Sequence, residues 1–238
     1  MPLNLSVVIP VYNEERNVAE AVRRVQAYFA AKPIEGELII VSDGSTDKTN
    51  AIMQDLVKSQ AMGSLLFLCL EKNTGKGAAA RKGVLASRAQ YVLVTDADLS
   101  TPIKEIDKLI RALEEGNDIA IGSRALRSPG CDVQQSFKRR ISGRIFNTFV
   151  QLIVLRGFRD TQCGFKCFKS AIAKKLFTDQ KLDGFSFDVE VLFLAKKHGY
   201  KICEVPVMWM QAPDSRVRFV RDSFRMVRDL FRIRQLHH

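Results

Sequence analysis

Apolar runs of strand length, each ending in a polar turn and separated by stretches of helical period, constrain this chain more than any other feature. The runs are Leu5–Val11, 37–41, 65–70, Tyr91–Thr95 and 118–122. Continuous β-branched and aliphatic runs of this length suit strands buried on both faces. Between them, residues 14–30 place Val18, Val22, Val25 and Phe29 on one helical face. Further helices are expected from the Ser42-Asp43-Gly44-Ser45-Thr46-Asp47 turn to about Val57, from Gly75-Lys76-Gly77 to about Arg88, and over 102–115, with Thr101 as N-cap and Pro102 as first helical residue. Strand–helix alternation repeated four times predicts an α/β fold: a mostly parallel, doubly wound sheet flanked by helices. Right-handed crossovers put the turn after each strand on one edge of that sheet. Tyr12, Glu14, Asp43, Lys76, Asp96 and Asp98 therefore converge on one crevice.

The run at Tyr91–Thr95 ends in Asp96-Ala97-Asp98. Two carboxylates one residue apart repel each other, and a hard divalent cation, Mg2+ or Mn2+, would offset that repulsion. Such an ion takes its other ligands from water and substrate phosphates. Taken singly, each acid also reads as an ordinary turn residue and Lys76 as a solvated cation at a helix start. Four polar groups at four successive strand ends favour a site.

The net charge of +11 calls for an anionic partner: a nucleic acid, a phosphorylated substrate or an acidic membrane surface. The excess is confined to the later part of the chain. Residues 122–160 carry eight Lys/Arg against two acids, and residues 201–238 eight against four. In the first segment Lys138-Arg139-Arg140 precedes Ile141, Ile145, Phe146, Phe149, Val150, Leu152 and Ile153, the pattern of either an interfacial helix or a core helix. In the tail, Arg218, Arg221, Arg225, Arg228 and Arg232 each follow an apolar stripe residue or flank it: Val220, Phe224, Val227 and Phe231 recur one position earlier than the last four. This reads as a basic amphipathic helix for a membrane surface, or as a solvated Arg face with Asp222 and Asp229 as partners. The aromatics lie on the apolar stripe instead of among the arginines, which speaks against a nucleic-acid-binding module, the reading from another functional class. Residues 201–210 form an extended run, with Pro206 marking an edge strand.

The first strand lacks Gly-x-Gly-x-x-Gly, and residues 73–77 lack the spacing of a P-loop. Five cysteines give no zinc set and read as reduced thiols. No apolar run reaches the ~18–20 residues of a membrane span, and the N-terminus does not read as a signal peptide, so the expectation is a cytoplasmic protein peripherally associated with the membrane. The expected organisation is one catalytic domain over 1–210, with a nucleotide-binding half to about 122 and an acceptor-binding half from 123, then a C-terminal basic amphipathic helix over 211–238.

Four motifs carry a resemblance. Val8-Ile9-Pro10-Val11-Tyr12-Asn13-Glu14, Val41-Ser42-Asp43-Gly44-Ser45-Thr46-Asp47, Asn73-Thr74-Gly75-Lys76-Gly77 and Asp96-Ala97-Asp98 stand in the order and spacing of the inverting GT-A glycosyltransferases of family 2. Gly122-Ser123-Arg124, Asp160-Thr161-Gln162-Cys163-Gly164-Phe165-Lys166, Phe187-Asp188-Val189-Glu190 and Glu204-Val205-Pro206-Val207 resemble the dolichyl/polyprenyl-phosphate glycosyltransferases, the glucosyl-transferring branch in particular. The resemblance implies metal-dependent transfer of a hexose from a nucleoside diphosphate sugar, UDP-glucose or alternatively GDP-mannose, to a polyprenyl or dolichyl phosphate, with inversion. It implies that Pro10, Tyr12, Glu14, Asp43 and Lys76 line the nucleotide pocket and that Asp96 and Asp98 serve nucleotide and metal. Ser100 falls where relatives offer a longer side chain as a further metal contact. Asp160 is expected as the base candidate or as a structural turn cap. Arg124, Arg139, Arg140, Arg216 and Arg218 are expected to hold the acceptor phosphate, their planar forks suiting its oxygens. Of Asp188 and Glu190, one is expected to cap a helix and the other to face the cleft. Relatives often carry a membrane anchor; here attachment is expected from the basic amphipathic segments or from a membrane-anchoring protein.

Overall fold

A computed structural model describes residues 3–59, 64–134, 137–210 and 219–237, with the backbone alone at 137–142, 144 and 219–224. The first half alternates β1 (Leu5–Val11), α1 (Val18–Ala30), β2 (Gly36–Ser42), α2 (Thr49–Lys58), β3 (Leu65–Cys69), α3 (Lys76–Ala86), β4 (Tyr91–Thr95), α4 (Ile106–Glu114) and β5 (Ile119–Ser123). Beyond it come β6 (Val133–Gln134), α5 (Phe137–Ile153), β7 (Phe165–Lys169), α6 (Ser170–Asp179), α7 (Phe187–Lys197), β8 (Ile202–Pro206), β9 (Trp209–Met210) and α8 (Phe219–Leu236). A seven-stranded sheet runs in the order β3-β2-β1-β4-β7-β5-β8, and β6 pairs with β9 beside it.

Alternate residues of the strands feed two cores. Val8, Ile39, Val41, Val92, Val94, Ile119 and Ile121 pack with α3, α6 and α7 on one face. Leu5, Val7, Ile9, Leu38, Ile40, Leu93 and Ala120 pack with α1 and α4 on the other. Continuous burial of β1, β2, β4 and β5 follows from helices covering both faces. The register Val8↔Val94 and Val11↔Ser42 brings the ends of β1, β2 and β4 to one edge.

Three expectations are corrected. β7, unforeseen as a strand, inserts antiparallel between β4 and β5; its lysines at 166 and 169 interrupt the apolar run that marks the other buried strands. Pro102 is extended (ψ 138°) and precedes a short 3-10 turn, so α4 begins only at Ile106 and Thr101 is not its N-cap. The α8 stripe is shifted: Leu230 and Ile233 are buried, whereas Phe231 is 54% exposed. α8 turns that inner face to α5 and α7. Pro206 ends β8 at the sheet edge, where its missing N–H is tolerated. Among the described residues no helix is long and apolar enough to cross a membrane.

Candidate active site

The turns after β1 and β2 are laced together by Asn13, whose φ of 55° suits asparagine better than most residues. Its Oδ1 accepts hydrogen bonds from the backbone N–H of Thr46 (2.7 Å) and Asp47 (3.3 Å), and its own N–H donates to Ser45 Oγ at 3.0 Å. Tyr12 is exposed beside it, Pro10 is buried within β1, and Glu14 accepts from Asn17 Nδ2 at 2.7 Å.

Asp43, after β2, is buried and grips the turn before α3. Thr74 N–H donates to its Oδ1 at 2.7 Å and Gly75 N–H to its Oδ2 at 2.9 Å. Burial pushes its pKa up, and these two donors oppose the rise. Gly75, at φ 130°, is where the chain from 180 to 186 closes over α3: a Cβ there would stand 2.2 Å from the Asp183 carbonyl oxygen. That same carbonyl accepts from Gly77 N–H at 2.7 Å, so the first turn of α3 is capped from within the protein.

Lys76 is thereby aimed at the end of β4. Its Nζ lies 2.6 Å from Asp96 Oδ1 and 5.9 Å from the centre of the Phe187 ring. Burial alone would lower its pKa; the charges of Asp96 and Asp188 outweigh this and hold it above the usual lysine range. Asp98 has the opposite problem. Burial, then the neighbouring Asp96 charge, push its carboxyl up, although Ser100 N–H donates to Oδ1 at 2.9 Å. Ser100 thus supports Asp98 from behind. Two half-buried carboxylates side by side, one of them under-compensated, fit a hard divalent cation. No group of three or more His, Cys, Asp or Glu able to hold a metal occurs among the described residues. Asp96 and Asp98 would therefore rely on phosphate oxygens and water to complete a coordination shell.

Arg124 directly follows β5, near enough to Asp96 for the two charges to interact. Its Nε and Nη2 lie 2.7 and 2.9 Å from the two oxygens of Asp160, its backbone N–H donates to the same carboxylate at 2.9 Å, and its guanidinium lies 5.6 Å from the Trp209 ring centre. Burial would raise the Asp160 pKa; Arg124 more than reverses this and holds the carboxyl below its usual range. Gln162 N–H also donates to Asp160 Oδ1, at 3.2 Å. The geometry is that of a turn cap and counter-ion, and a carboxylate so committed is a poor proton acceptor. Arg139 and Arg140 fall in the first turn of α5, with their side chains outside the description; Arg216 and Arg218 lie outside the described residues.

Neither acid of the α7 motif caps that helix, whose N-cap is Ser186. Asp188 pairs with Lys166 at 2.8 Å, and Glu190 accepts from the backbone N–H of Lys181 and Leu182 and contacts His237 Nε2 at 2.6 Å. Asn13, Lys166 and Trp209 join the site without having been singled out from sequence. Of these, Asn13 and Lys166 stand inside the motifs quoted above, and Asn13 is also a turn-forming residue two positions after a strand.

The family model described as glycosyl transferase family 2 matches residues 6–177. Dolichyl-phosphate beta-glucosyltransferase from Drosophila melanogaster is 37% identical over 242 residues, covering 97% of this chain and 74% of its own. The protein of that name from Saccharomyces cerevisiae is 33% identical over 252 residues, covering 98% and 75%. Among solved structures, glucosyl-3-phosphoglycerate synthase from Mycobacterium tuberculosis in complex with UDP superposes with a TM-score of 0.68 at 17% identity, covering 97% of this chain and 78% of that one. The mannosyltransferase PcManGT from Pyrobaculum calidifontis, in complex with GDP-Man and Mn2+, gives 0.64 at 17% identity, covering 96% and 61%. These two share the fold. The family match, the relatives and the carboxylate pair at the end of β4 agree, and this chain belongs to glycosyl transferase family 2.

Proposed function

We propose that this enzyme transfers glucose from UDP-glucose to a dolichyl or polyprenyl phosphate, with inversion at the anomeric carbon and with Mg2+ or Mn2+ at Asp96 and Asp98. The observation that carries this reading is an under-compensated carboxylate pair whose Asp96 contacts the Lys76 ammonium and lies within electrostatic reach of the Arg124 guanidinium. The names of the relatives support the acceptor and the sugar.

An acceptor phosphate oxygen attacks the anomeric carbon; the bond from that carbon to the diphosphate breaks, and the electron pair leaves with UDP. The cation, when bound, neutralises charge on the leaving diphosphate. Lys76 adds a fixed positive charge beside it. Asp43 and the turns around Asn13 receive the nucleoside in this reading. A phosphomonoester is largely ionised at neutral pH, its second pKa being about 6, so the acceptor needs no strong base. Asp160 then serves by fixing Arg124, which orients the acceptor phosphate; Arg139, Arg140, Arg216 and Arg218 belong to the same acceptor side. Residues 1–122 supply the donor half and 123–210 the acceptor half.

The acceptor is a membrane lipid, and α5 with α8 forms the surface that meets it. Ile145, Phe149 and Leu152 stand exposed along α5, spaced at i, i+4 and i+7, while Phe231 and the exposed Arg225, Arg228 and Arg232 line the outer side of α8. Apolar residues among arginines suit an anionic bilayer surface.

The test is a transfer assay with polyprenyl phosphate, comparing UDP-glucose with GDP-mannose, each with Mn2+ or with EDTA. Lipid-phosphate glucose formed from UDP-glucose with Mn2+ and lost with EDTA is the expected result. Transfer from GDP-mannose alone would replace the donor, and transfer undiminished in EDTA would remove the metal.

A further inference from the structure

We infer that Lys166 and Asp188 form a positioning pair that fixes where Asp96 stands, and thereby sets the affinity of the Asp96–Asp98 site for its divalent cation. The inference rests on the metal-dependent reading above and assigns a role to two residues outside the crevice floor.

Lys166 occupies the middle of the sheet, level with Val94 of β4 on one side and Ile121 of β5 on the other. It is 2% exposed. A buried ammonium is costly unless it is paired and hydrogen-bonded, and an aliphatic residue would fill the same place without that cost. The charge is used twice. Nζ pairs with Asp188 Oδ1 at 2.8 Å and donates to the Cys163 carbonyl oxygen at 2.5 Å.

The second contact is the informative one. Cys163 leads directly into Gly164, whose backbone presses on the Asp96 side chain. A Cβ at 164 would stand 2.1 Å from Asp96 Oδ2 and 2.8 Å from its Cγ. Asp96 is thus held between the Gly164 backbone on one side and Lys76 Nζ, 2.6 Å away, on the other. Asp188 contributes to both sides, since its charge also acts on Lys76. Lys166 anchors the 163–164 backbone, Gly164 sets the wall, and the wall sets the carboxylate. Groups that orient a metal ligand in this way commonly change metal affinity by about 10–100-fold when removed.

The experiment measures the Mn2+ dissociation constant, from the electron paramagnetic resonance signal of free Mn2+, with and without UDP, for the wild-type protein, Lys166→Met, Lys166→Arg and Gly164→Ala. Calorimetry records the thermal midpoint of each. Lys166→Met is expected to weaken Mn2+ binding about 10-fold or more. In turnover it is expected to lower kcat while KM for UDP-glucose stays within about 3-fold, and Lys166→Arg is expected to recover most of the loss. Gly164→Ala leaves the ion pair intact and pushes on Asp96 directly, so it is expected to weaken Mn2+ binding in the same direction with little change in thermal midpoint. If Lys166→Met does not fold, Gly164→Ala and Lys166→Arg decide. Wild-type Mn2+ affinity in a folded Lys166→Met or in Gly164→Ala overturns the positioning role alone. No Mn2+ binding by the wild-type protein overturns both this role and the metal-dependent reading.

Discussion

Lys76 and Asp96, twenty residues apart on different elements, meet with Nζ 2.6 Å from Oδ1 at the point where α3 begins and β4 ends. The contact places a permanent positive charge beside the carboxylate proposed to hold the metal. Lys76→Met should therefore act on the transition state more than on folding. A loss of about 10²–10³-fold in kcat is expected, the scale of removing one electrostatic stabiliser of developing charge. Initial rates at saturating UDP-glucose check this; a change under 3-fold would remove Lys76 from the chemistry.

Asp98 gives a prediction of opposite sign for activity and stability. Its folded pKa is raised, chiefly by burial, so its ionised form destabilises the fold at neutral pH. Asp98→Asn removes that charge. The apo protein should melt at the same temperature or up to about 3 °C higher, the span of a gain of at most ~1 kcal/mol in a chain of this size. The added stability that Mn2+ with UDP gives the wild type by mass action should vanish together with transfer. Differential scanning calorimetry with and without Mn2+·UDP reads both effects.

Asp160 predicts a pH profile. Its folded pKa is depressed: burial pushes it up, and Arg124 outweighs that. Its stabilising contribution is therefore complete above the unfolded carboxyl pKa of about 3.9 and is lost as pH falls through the lower folded value. Across pH 5.5–8.5 it stays ionised. Asp160→Asn should then lower kcat/KM for the acceptor phosphate by a similar factor at every pH in that window. An acid limb near neutral pH that disappears in Asp160→Asn would make it the base instead.

What could be read from sequence divides along the range of the interactions. β1, β2, β4 and β5 are legible because strands covered on both faces must be apolar throughout, and Asp43, Lys76, Asp96 and Asp98 stand out as candidates because each lies within three residues of such a strand's end or opens the next helix. β7 is not legible: Lys166 breaks its apolar run, and the carboxylate that pairs with its charge, Asp188, lies 22 residues later. The turn cap at Asp160 is legible as one of its two readings, but its pairing with Arg124 is not, since that partner lies 36 residues earlier on another element. In α8 the period is legible but its phase is not. Val227 and Phe231 suggest one stripe; packing against α5 and α7 selects Leu230 and Ile233 and leaves Phe231 outside.

That displaced phase yields the last prediction. Leu152 of α5 is 68% exposed and Phe231 of α8 is 54% exposed. Side chains so exposed contribute little to folding, so Leu152→Ser with Phe231→Ser should leave the thermal midpoint within about 2 °C, as surface substitutions do. If the outer face of α5 and α8 meets a bilayer, the same pair should matter there. Each large apolar side chain withdrawn from water is worth about 1.5–3 kcal/mol, and partial insertion of two should give at least a 10-fold difference in partitioning. Co-sedimentation with vesicles rich in phosphatidylglycerol measures it. Wild-type binding should also weaken as salt rises, because Arg225, Arg228 and Arg232 lie exposed on the same helix and act through screened charge. The double variant should keep that salt dependence at a lower affinity. If the variant binds vesicles as the wild type does, the apolar residues do not insert; if binding is also insensitive to salt, this face is not the membrane surface.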